Sequence, residues 1–479
     1  MIEKLKSFIE ENNKEIREKL ITEINVESSE NDILVQSFLT KDFKDKINEQ
    51  LESIYRYIER CGYKDTETLK LKLDLCFYKD SGNIYSLLEE IEKAIEFLRN
   101  NKVEENDNEN NNKLYELSKV SNNLYRIKEY VKSQVIVVNG DGGTGKTHLL
   151  TKIANDLIYR DVPTIIFYGQ TIYRFEEYIK YIEQKMKIGD LFAEIAKVAE
   201  QNNETGIIIF DAINEARQNQ KDLIEYLINN IKGKNIKLVI SYRNGDLEKK
   251  TLSILNNYPN ITLYGFSDTV EAAVKFSEHY NIEIGEILES NYASNPLILK
   301  IFCEEYADKG RAKGQRGYNT ATFIFERYFT RISQNIINEL GVVCNDGRVI
   351  TGKIFWNKIA KEIAQLMVRK CRTYLFINEF VSIVDNLNLN ISSTKIIEKL
   401  VVHKLIEANN MYIGNNQRRI TYKFSFQRQS DYLIARYLLN TKDESESWND
   451  FLNKQTTGVR IDIWTHFMRG CIIELCTLH

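Results

Sequence analysis

A run of β-forming residues at 135–138 leads into the sequence Gly-Asp-Gly-Gly-Thr-Gly-Lys-Thr and then into an apolar helical pattern. This order of strand, glycine-rich turn and helix constrains the fold most, because the turn lets backbone amides surround a polyphosphate at the start of the helix. Lys146 is expected to contact the β- and γ-phosphates, and the Thr147 hydroxyl to ligate Mg²⁺. The residues expected to contact a nucleoside triphosphate are Gly140, Gly142, Gly143, Thr144, Gly145, Lys146, Thr147 and His148. An ordinary glycine-rich turn is the weaker alternative.

Strand-like and helix-like patterns alternate through the middle of the chain. The strand candidates lie at residues 135–138, 164–168, 206–210, 237–240 and 262–264. Such alternation predicts a parallel sheet with helices on both faces. A further strand candidate separates the glycine-rich turn from the strand that ends in acidic residues, as in the additional-strand class of P-loop ATPases.

Charged residues follow the third and fourth strand candidates. Asp211 is expected to hold the Mg²⁺ shell, and Glu215 to polarise the attacking water. Glu215 has a second interpretation as a favourable charge at the start of a helix. Arg243 ends the next strand and is a candidate sensor of the γ-phosphate, the alternative being a surface arginine in a loop. The chain lacks the Asn-Lys-x-Asp strand end of guanine-binding proteins, so ATP is the predicted nucleotide.

The N-terminal region, residues 1–100, has the periodicity of a helical bundle. Apolar residues recur every three or four positions, as in Phe43, Ile47 and Leu51. No compact catalytic cluster is visible, so we expect an adaptor that recruits a partner or effector by contact. An inert bundle that packs against the ATPase is the alternative. Residues 101–112 are acidic and Asn-rich, which predicts a disordered linker.

The rest of the chain divides at changes of pattern. Residues 410–424 contain two β-rich runs around a Gly-Asn-Asn turn, which predicts the wing of a winged helix. The final residues have the pattern of an amphipathic helix that expects a further layer from a sensor array or another subunit. The predicted units are a P-loop NTPase domain at 113–266, a small helical lid at 267–312, a winged-helix domain at 313–424 and the start of a C-terminal helical region at 425–479.

Composition limits the compartment and the partners. The net charge is −3 over 479 residues, which gives no general attraction for nucleic acids or anionic membranes. No apolar run has membrane-spanning length, and the seven cysteines are scattered and never in C-x-x-C pairs. We therefore expect a cytoplasmic protein with reduced thiols, no structural metal and no membrane partner.

Five sequence blocks in this order resemble the STAND NTPases, which include the NACHT and NB-ARC switches, and most closely the bacterial antiviral (Avs-type) defence proteins. The blocks lie at residues 140–150, 210–215, 240–243, 294–299 and 424–435. The resemblance covers about residues 113–440. It implies slow, regulatory ATP hydrolysis, homo-oligomerisation on activation, a phage protein as trigger and a downstream effector.

The resemblance also assigns single residues. Pro296 corresponds to the lid proline that packs on the adenine; from the sequence alone it is only a proline that starts a helix. The winged helix would fold back and shield ADP in the resting state. The family often has a histidine against the diphosphate, where this chain has Phe426 and Gln427. The second hypothesis is a DNA-binding winged-helix ATPase of the origin-recognition or transposition type. The acidic net charge and the two adjacent wing arginines, Arg418 and Arg419, disfavour it.

Overall fold

A computed structural model describes most of the chain. The described residues are 1–17, 29–79, 83–100, 107–172, 174–216, 218–244, 247–283, 294–307, 321–403, 405–414, 417–425, 427–443, 446–447 and 450–451. Two parts of the sequence analysis lie outside them: most of the predicted C-terminal helical region, from residue 452 onwards, and Phe426, which stands where the family often has a histidine. No helix within the described ranges combines the length and the apolar character that crossing a membrane requires.

The N-terminal part is helical. Its helices are α1 (Ile2–Arg17), α2 (Ser29–Gln36), α3 (Lys41–Arg60), α4 (Thr66–Asp74), α5 (Ile84–Asn100) and α6 (Asp107–Lys132), with a π-helical turn at Leu75–Lys79. Helices α3 to α6 share a core of buried residues that runs from Leu39 to Val131. This arrangement is the bundle that the periodicity predicts.

The predicted limits of the bundle are wrong at both ends. Helix α1 packs on the ATPase domain, where Leu5, Phe8 and Ile9 join the core of the sheet and the Lys4 ammonium donates to Met186 O at 2.6 Å. Residues 107–112, predicted as disordered linker, form the first turn and a half of α6. The Asn110 side chain is buried there and donates to Leu98 O at 3.1 Å, so a polar composition conceals a helix that is held by specific hydrogen bonds.

The central domain is a five-stranded parallel sheet. Its strands are β1 (Val135–Gly140), β2 (Thr164–Tyr168), β3 (Gly206–Asp211), β4 (Ile236–Arg243) and β5 (Asn260–Leu263). The helices that connect them are α7 (Lys146–Tyr159), α8 (Phe175–Met186), α9 (Leu191–Gln201), α10 (Gln220–Ile231) and α11 (Lys249–Leu255). The spatial order is β2-β3-β4-β1-β5, so β4 is inserted between β1 and β3. This order confirms the predicted additional-strand P-loop fold.

The C-terminal part holds the lid and a winged helix. The elements are α12 (Thr269–Tyr280), α13 (Pro296–Ala307), α14 (Ala321–Leu340), α15 (Gly352–Lys370), β6 (Leu375–Phe376), α16 (Ile377–Asp385), α17 (Ser393–Val402), β7 (Ile406–Gly414), β8 (Gln417–Phe424) and α18 (Gln427–Thr441). The antiparallel sheet has the order β6-β8-β7, and the helix pair α16 and α17 precedes the hairpin. The predicted winged helix is therefore present, and α18 extends its core through Tyr432 and Leu433.

A buried lysine joins the bundle to the sheet. Lys237, near the start of β4, donates to the carbonyl oxygens of Tyr130 and Val131 at 2.8 Å and of Ser133 at 2.6 Å. These carbonyls end α6 and would otherwise lack hydrogen-bond partners. Burial lowers the pKa of Lys237 to about 7. Lys237 therefore connects α6, the last helix of the bundle, to β4, the central strand of the sheet.

Replacing Lys237 with methionine should lower the free energy of unfolding by about 3 kcal/mol, because three buried carbonyl groups lose their donor while the apolar volume is kept. Urea denaturation followed by circular dichroism measures the effect. Lys232→Met removes an exposed lysine five residues away and should change stability by less than about 0.5 kcal/mol. Equal stabilities for the two variants would contradict the role assigned to Lys237.

Candidate nucleotide site

The glycine-rich loop between β1 and α7 has the conformation that a phosphate-binding loop needs. Gly143 and Gly145 have φ values of 82° and 92°, which L side chains rarely adopt. A β-carbon on Gly140 would lie 2.3 Å from Leu263 O, so a side chain there would displace β5. The Lys146 ammonium lies within the loop and donates to Gly140 O at 2.7 Å and Asp141 O at 2.8 Å.

The two residues predicted to bind Mg²⁺ lie together. The Thr147 hydroxyl donates to Asp211 Oδ2 at 2.7 Å, and the Ser241 hydroxyl donates to Asp211 Oδ1 at 2.5 Å. Burial raises the pKa of Asp211, while these two hydrogen bonds oppose the rise. A buried carboxylate next to a threonine hydroxyl is an oxygen donor set that fits Mg²⁺, and the cation would stabilise the charged carboxylate. The two residues are therefore in direct contact, and their binding of Mg²⁺ stays a prediction.

Glu215 lies on the same side of the sheet. It ends a 3₁₀ turn, Ile213–Glu215, that follows Ala212 in a left-handed conformation. The Asn214 side chain fixes this turn, because its Oδ1 accepts from Arg243 N at 3.1 Å. Glu215 Oε2 is 3.8 Å from the ammonium of Lys423, in the winged helix. The Glu215 carboxylate is close enough to Asp211 for its charge to raise the pKa of Asp211, and it also contacts the winged helix.

Arg243 is a buried residue, and the alternative of a surface arginine is wrong. Its side chain is only 6% exposed, and the guanidinium carbon lies 3.1 Å from the position that a β-carbon on Gly142 would take. Nη1 donates to the Asp431 carboxylate on α18, which is 5% exposed. Removing one partner of a buried pair like this leaves an uncompensated charge, which is strongly destabilising.

A second charged contact joins the winged helix to the site. The Lys423 ammonium, on β8, lies 3.2 Å from Glu407 Oε1 on the neighbouring strand and donates to the Gln170 side chain. Gln170 belongs to the 3₁₀ turn that follows β2, at the edge of the nucleotide face. The winged helix thus contacts the ATPase domain at Gln170, Glu215 and Arg243.

The lid touches the loop directly. Leu297 N donates to Gly143 O at 3.3 Å, and the Pro296 ring lies 3.7 Å from the position of a β-carbon on Gly145. Pro296 is therefore next to the loop, and its contact with an adenine stays a prediction. Burial lowers the pKa of His148, and the nearby charges of Lys152 and Lys300 lower it further. Lys300 belongs to the lid, so His148, on the loop helix α7, is near a positive charge of the lid. Its lowered pKa favours the neutral form.

The sequence interpretation did not single out Asp431, Lys423 or Asn214. Asp431 directly precedes the apolar run Tyr-Leu-Ile-Ala. A carboxylate at the edge of an apolar helix face, in a block that already resembled the family, was the only signal for it.

No family model and no curated protein matches the chain. Among solved structures, Cdc6p from Pyrobaculum aerophilum is 12% identical, with a TM-score of 0.25, and the match covers 67% of this chain and 88% of that one. DnaA from Aquifex aeolicus bound to AMPPCP is 14% identical, with a TM-score of 0.27 and coverages of 56% and 80%. Orc1 from Aeropyrum pernix in complex with DNA is 13% identical, with a TM-score of 0.27 and coverages of 64% and 88%. Superpositions this poor do not separate the switch hypothesis from the DNA-binding one.

Proposed function

We propose that this chain is an ATP-dependent switch whose winged helix holds the nucleotide site in a resting state. The observation that carries the proposal is the buried ion pair between Arg243 and Asp431. An arginine at the end of β4, above the phosphate-binding loop, is neutralised by a carboxylate from another domain. Lys423 adds a weaker, partly exposed contact with Glu215.

The geometry of these residues implies a competition. Bound ATP with Mg²⁺ would supply the anionic group that the loop and Arg243 attract. Lys146 and the loop amides would orient the phosphates, while Thr147 and Asp211 would hold the cation. A γ-phosphate at the loop would compete with Asp431 for the Arg243 guanidinium. Reversing a two-state population almost completely needs about 5.5 kcal/mol of differential binding free energy. The exchange of Asp431 for a phosphate as the partner of Arg243 would supply part of this free energy.

Replacing Asp431 with asparagine tests this proposal. The variant keeps the shape but loses the charge that holds Arg243, so the winged helix should leave the site more readily. We expect ATP turnover to rise about 10-fold, which corresponds to about 1.4 kcal/mol, together with a larger oligomeric fraction in ATP and Mg²⁺. A phosphate-release assay and mass photometry measure the two effects.

Glu398→Gln is the matched control, because Glu398 is an exposed carboxylate of the same winged helix, on α17. It should leave turnover and mass unchanged. Turnover in Asp431→Asn at or below the wild-type value, in a protein with native circular dichroism, would reject the resting contact as an inhibitory one.

The setting that we propose is bacterial antiphage defence, with oligomerisation on activation, a phage protein as trigger and an effector recruited through the α3–α6 bundle. The support is the resemblance of the five sequence blocks. Expressing single phage proteins with the chain and measuring its mass in ATP would identify a trigger, and no shift with any protein of a restricted phage would count against this setting.

The second hypothesis, duplex recognition by the winged helix, finds little support in α17, the helix that would enter a DNA groove. Lys399 pairs with Glu339 at 2.8 Å, and His403 lies 2.9 Å from the same carboxylate. Glu398 is exposed on this helix and would face the phosphates. The exposed Lys395 is offset by Glu398 on the same helix, and Lys399 is paired, so α17 has little net positive charge for groove recognition.

A further inference from the structure

A different face of the winged helix carries an unexpected charge pattern. On α15 the side chains of Lys358, Lys361, Gln365 and Arg369 follow one another at three- and four-residue spacing, which places them on one side of the helix. The two lysines and Arg369 are exposed, and none of the three forms an ion pair with any residue that the structure describes. We call Lys358, Lys361 and Arg369 the basic stripe.

A polar groove borders the basic stripe. It has a volume of about 450 Å³ and lies between α15 and α16, with Gln365 and Arg369 on one wall. The opposite wall presents Asn378, Ser382 and Asn386, which repeat every four residues and are exposed. At 1.5 Å per residue, these three side chains are about 6 Å apart along the helix. Of the basic stripe, Arg369 lines the groove beside these neutral hydrogen-bonding groups, and the two lysines continue the stripe along α15 away from it.

Two carboxylates also line the groove, and their effect is limited. Glu379 forms an ion pair with Arg372, so its charge is neutralised at once. Glu362 is half-buried and remains as the single carboxylate beside the three cations of the basic stripe. The local charge is therefore positive, although the whole chain carries a net charge of −3.

We propose that the basic stripe and its groove bind the phosphate backbone of a nucleic acid. Arginine and lysine side chains, together with asparagine, glutamine and serine, are the groups that proteins use for backbone phosphates. None of the described residues that line the groove is aromatic, which favours contacts with the backbone over base stacking. The surface is separate from α17, so this binding does not require groove recognition by a winged helix. It also does not depend on the proposed switch.

The test is oligonucleotide binding by the full chain. Fluorescence anisotropy with a single strand and a duplex of about 20 nucleotides, at several salt concentrations, gives the affinity and the number of phosphate contacts. The triple variant Lys358→Glu, Lys361→Glu, Arg369→Glu should bind at least about 30-fold more weakly at low salt. The log–log salt slope for the single strand should fall by about 2, since each phosphate contact contributes about 0.7. The stronger of the two arms identifies the form of nucleic acid.

A matched variant controls for overall charge. Lys46→Glu, Lys64→Glu, Lys119→Glu changes the net charge by the same amount at three exposed lysines of the bundle, and it should bind within about 3-fold of the wild type. Thermal melting checks that both variants are folded. Equal losses in both variants, no binding by the wild type at low salt, or tighter binding of a polyglutamate peptide than of either oligonucleotide would each overturn the proposal. The last result would assign the surface to an acidic protein.

Discussion

Replacing Lys146 with alanine should weaken ATP binding about 100-fold while leaving the fold intact. The ammonium lies within the loop, where it donates to Gly140 O, Asp141 O and, more weakly, to the Thr144 hydroxyl, and it is not part of the apolar core of the sheet. A phosphate that loses one or two charge-assisted hydrogen bonds loses about 3 kcal/mol of binding free energy, which is a factor of about 150. Titration with fluorescent ATP measures the change.

The control is Lys180→Ala, which removes an exposed lysine on α8 of the same domain. It should bind ATP like the wild type. Undiminished affinity in Lys146→Ala would mean that the glycine-rich turn does not bind the triphosphate, and the proposed switch would fail with it.

Replacing Glu215 with glutamine should slow ATP hydrolysis by at least about 100-fold, because a positioned general base contributes about 10²–10⁴ to the rate. Binding of ATP should be retained, since Glu215 lies in the turn after β3 and not in the phosphate-binding loop. We expect the variant to accumulate in the ATP-bound, assembled state. Single-turnover hydrolysis and mass photometry separate these effects.

Glu407→Gln distinguishes catalysis from contact with the winged helix. Glu407 lies 3.2 Å from the Lys423 ammonium, closer than the 3.8 Å of Glu215, but belongs to the wing. If Glu215 is the base, only Glu215→Gln slows hydrolysis. Similar rates in both variants would mean that Glu215 acts through Lys423, and wild-type hydrolysis by Glu215→Gln would leave it the role of a helix-start charge.

The sequence predicted the elements whose signals are local. The strand before Gly140 and the helix after Thr147 are adjacent in the chain, and their order predicted the phosphate-binding loop. The alternation of strand and helix patterns predicted the parallel sheet. Asp211 could be singled out because it ends a buried strand that follows the P-loop, which is where a P-loop protein has its Mg²⁺-binding aspartate.

Packing between distant elements was not predictable in this way. Asp431 lies 188 residues after Arg243, and no local pattern relates the two. Helix α1 has the same amphipathic periodicity as the bundle, and periodicity gives the buried face without the core that receives it. The sequence predicted a disordered linker where α6 begins, because composition does not reveal the specific hydrogen bonds of the buried Asn110 side chain.

Strand β4 has a consequence for how the two ends of the molecule communicate. It is paired on one side with β1 and on the other with β3, so it cannot bend or slide alone. Lys237 forms hydrogen bonds with the end of α6. About 20 Å along the strand, Arg243 forms its ion pair with Asp431. Strand β4 is therefore a rigid connection between the bundle and the winged helix. We expect a displacement of α6 to move β4 and with it Arg243 at the nucleotide site. Loss of the contact between Arg243 and Asp431 would reach the bundle through the same strand, without a loop having to reorder.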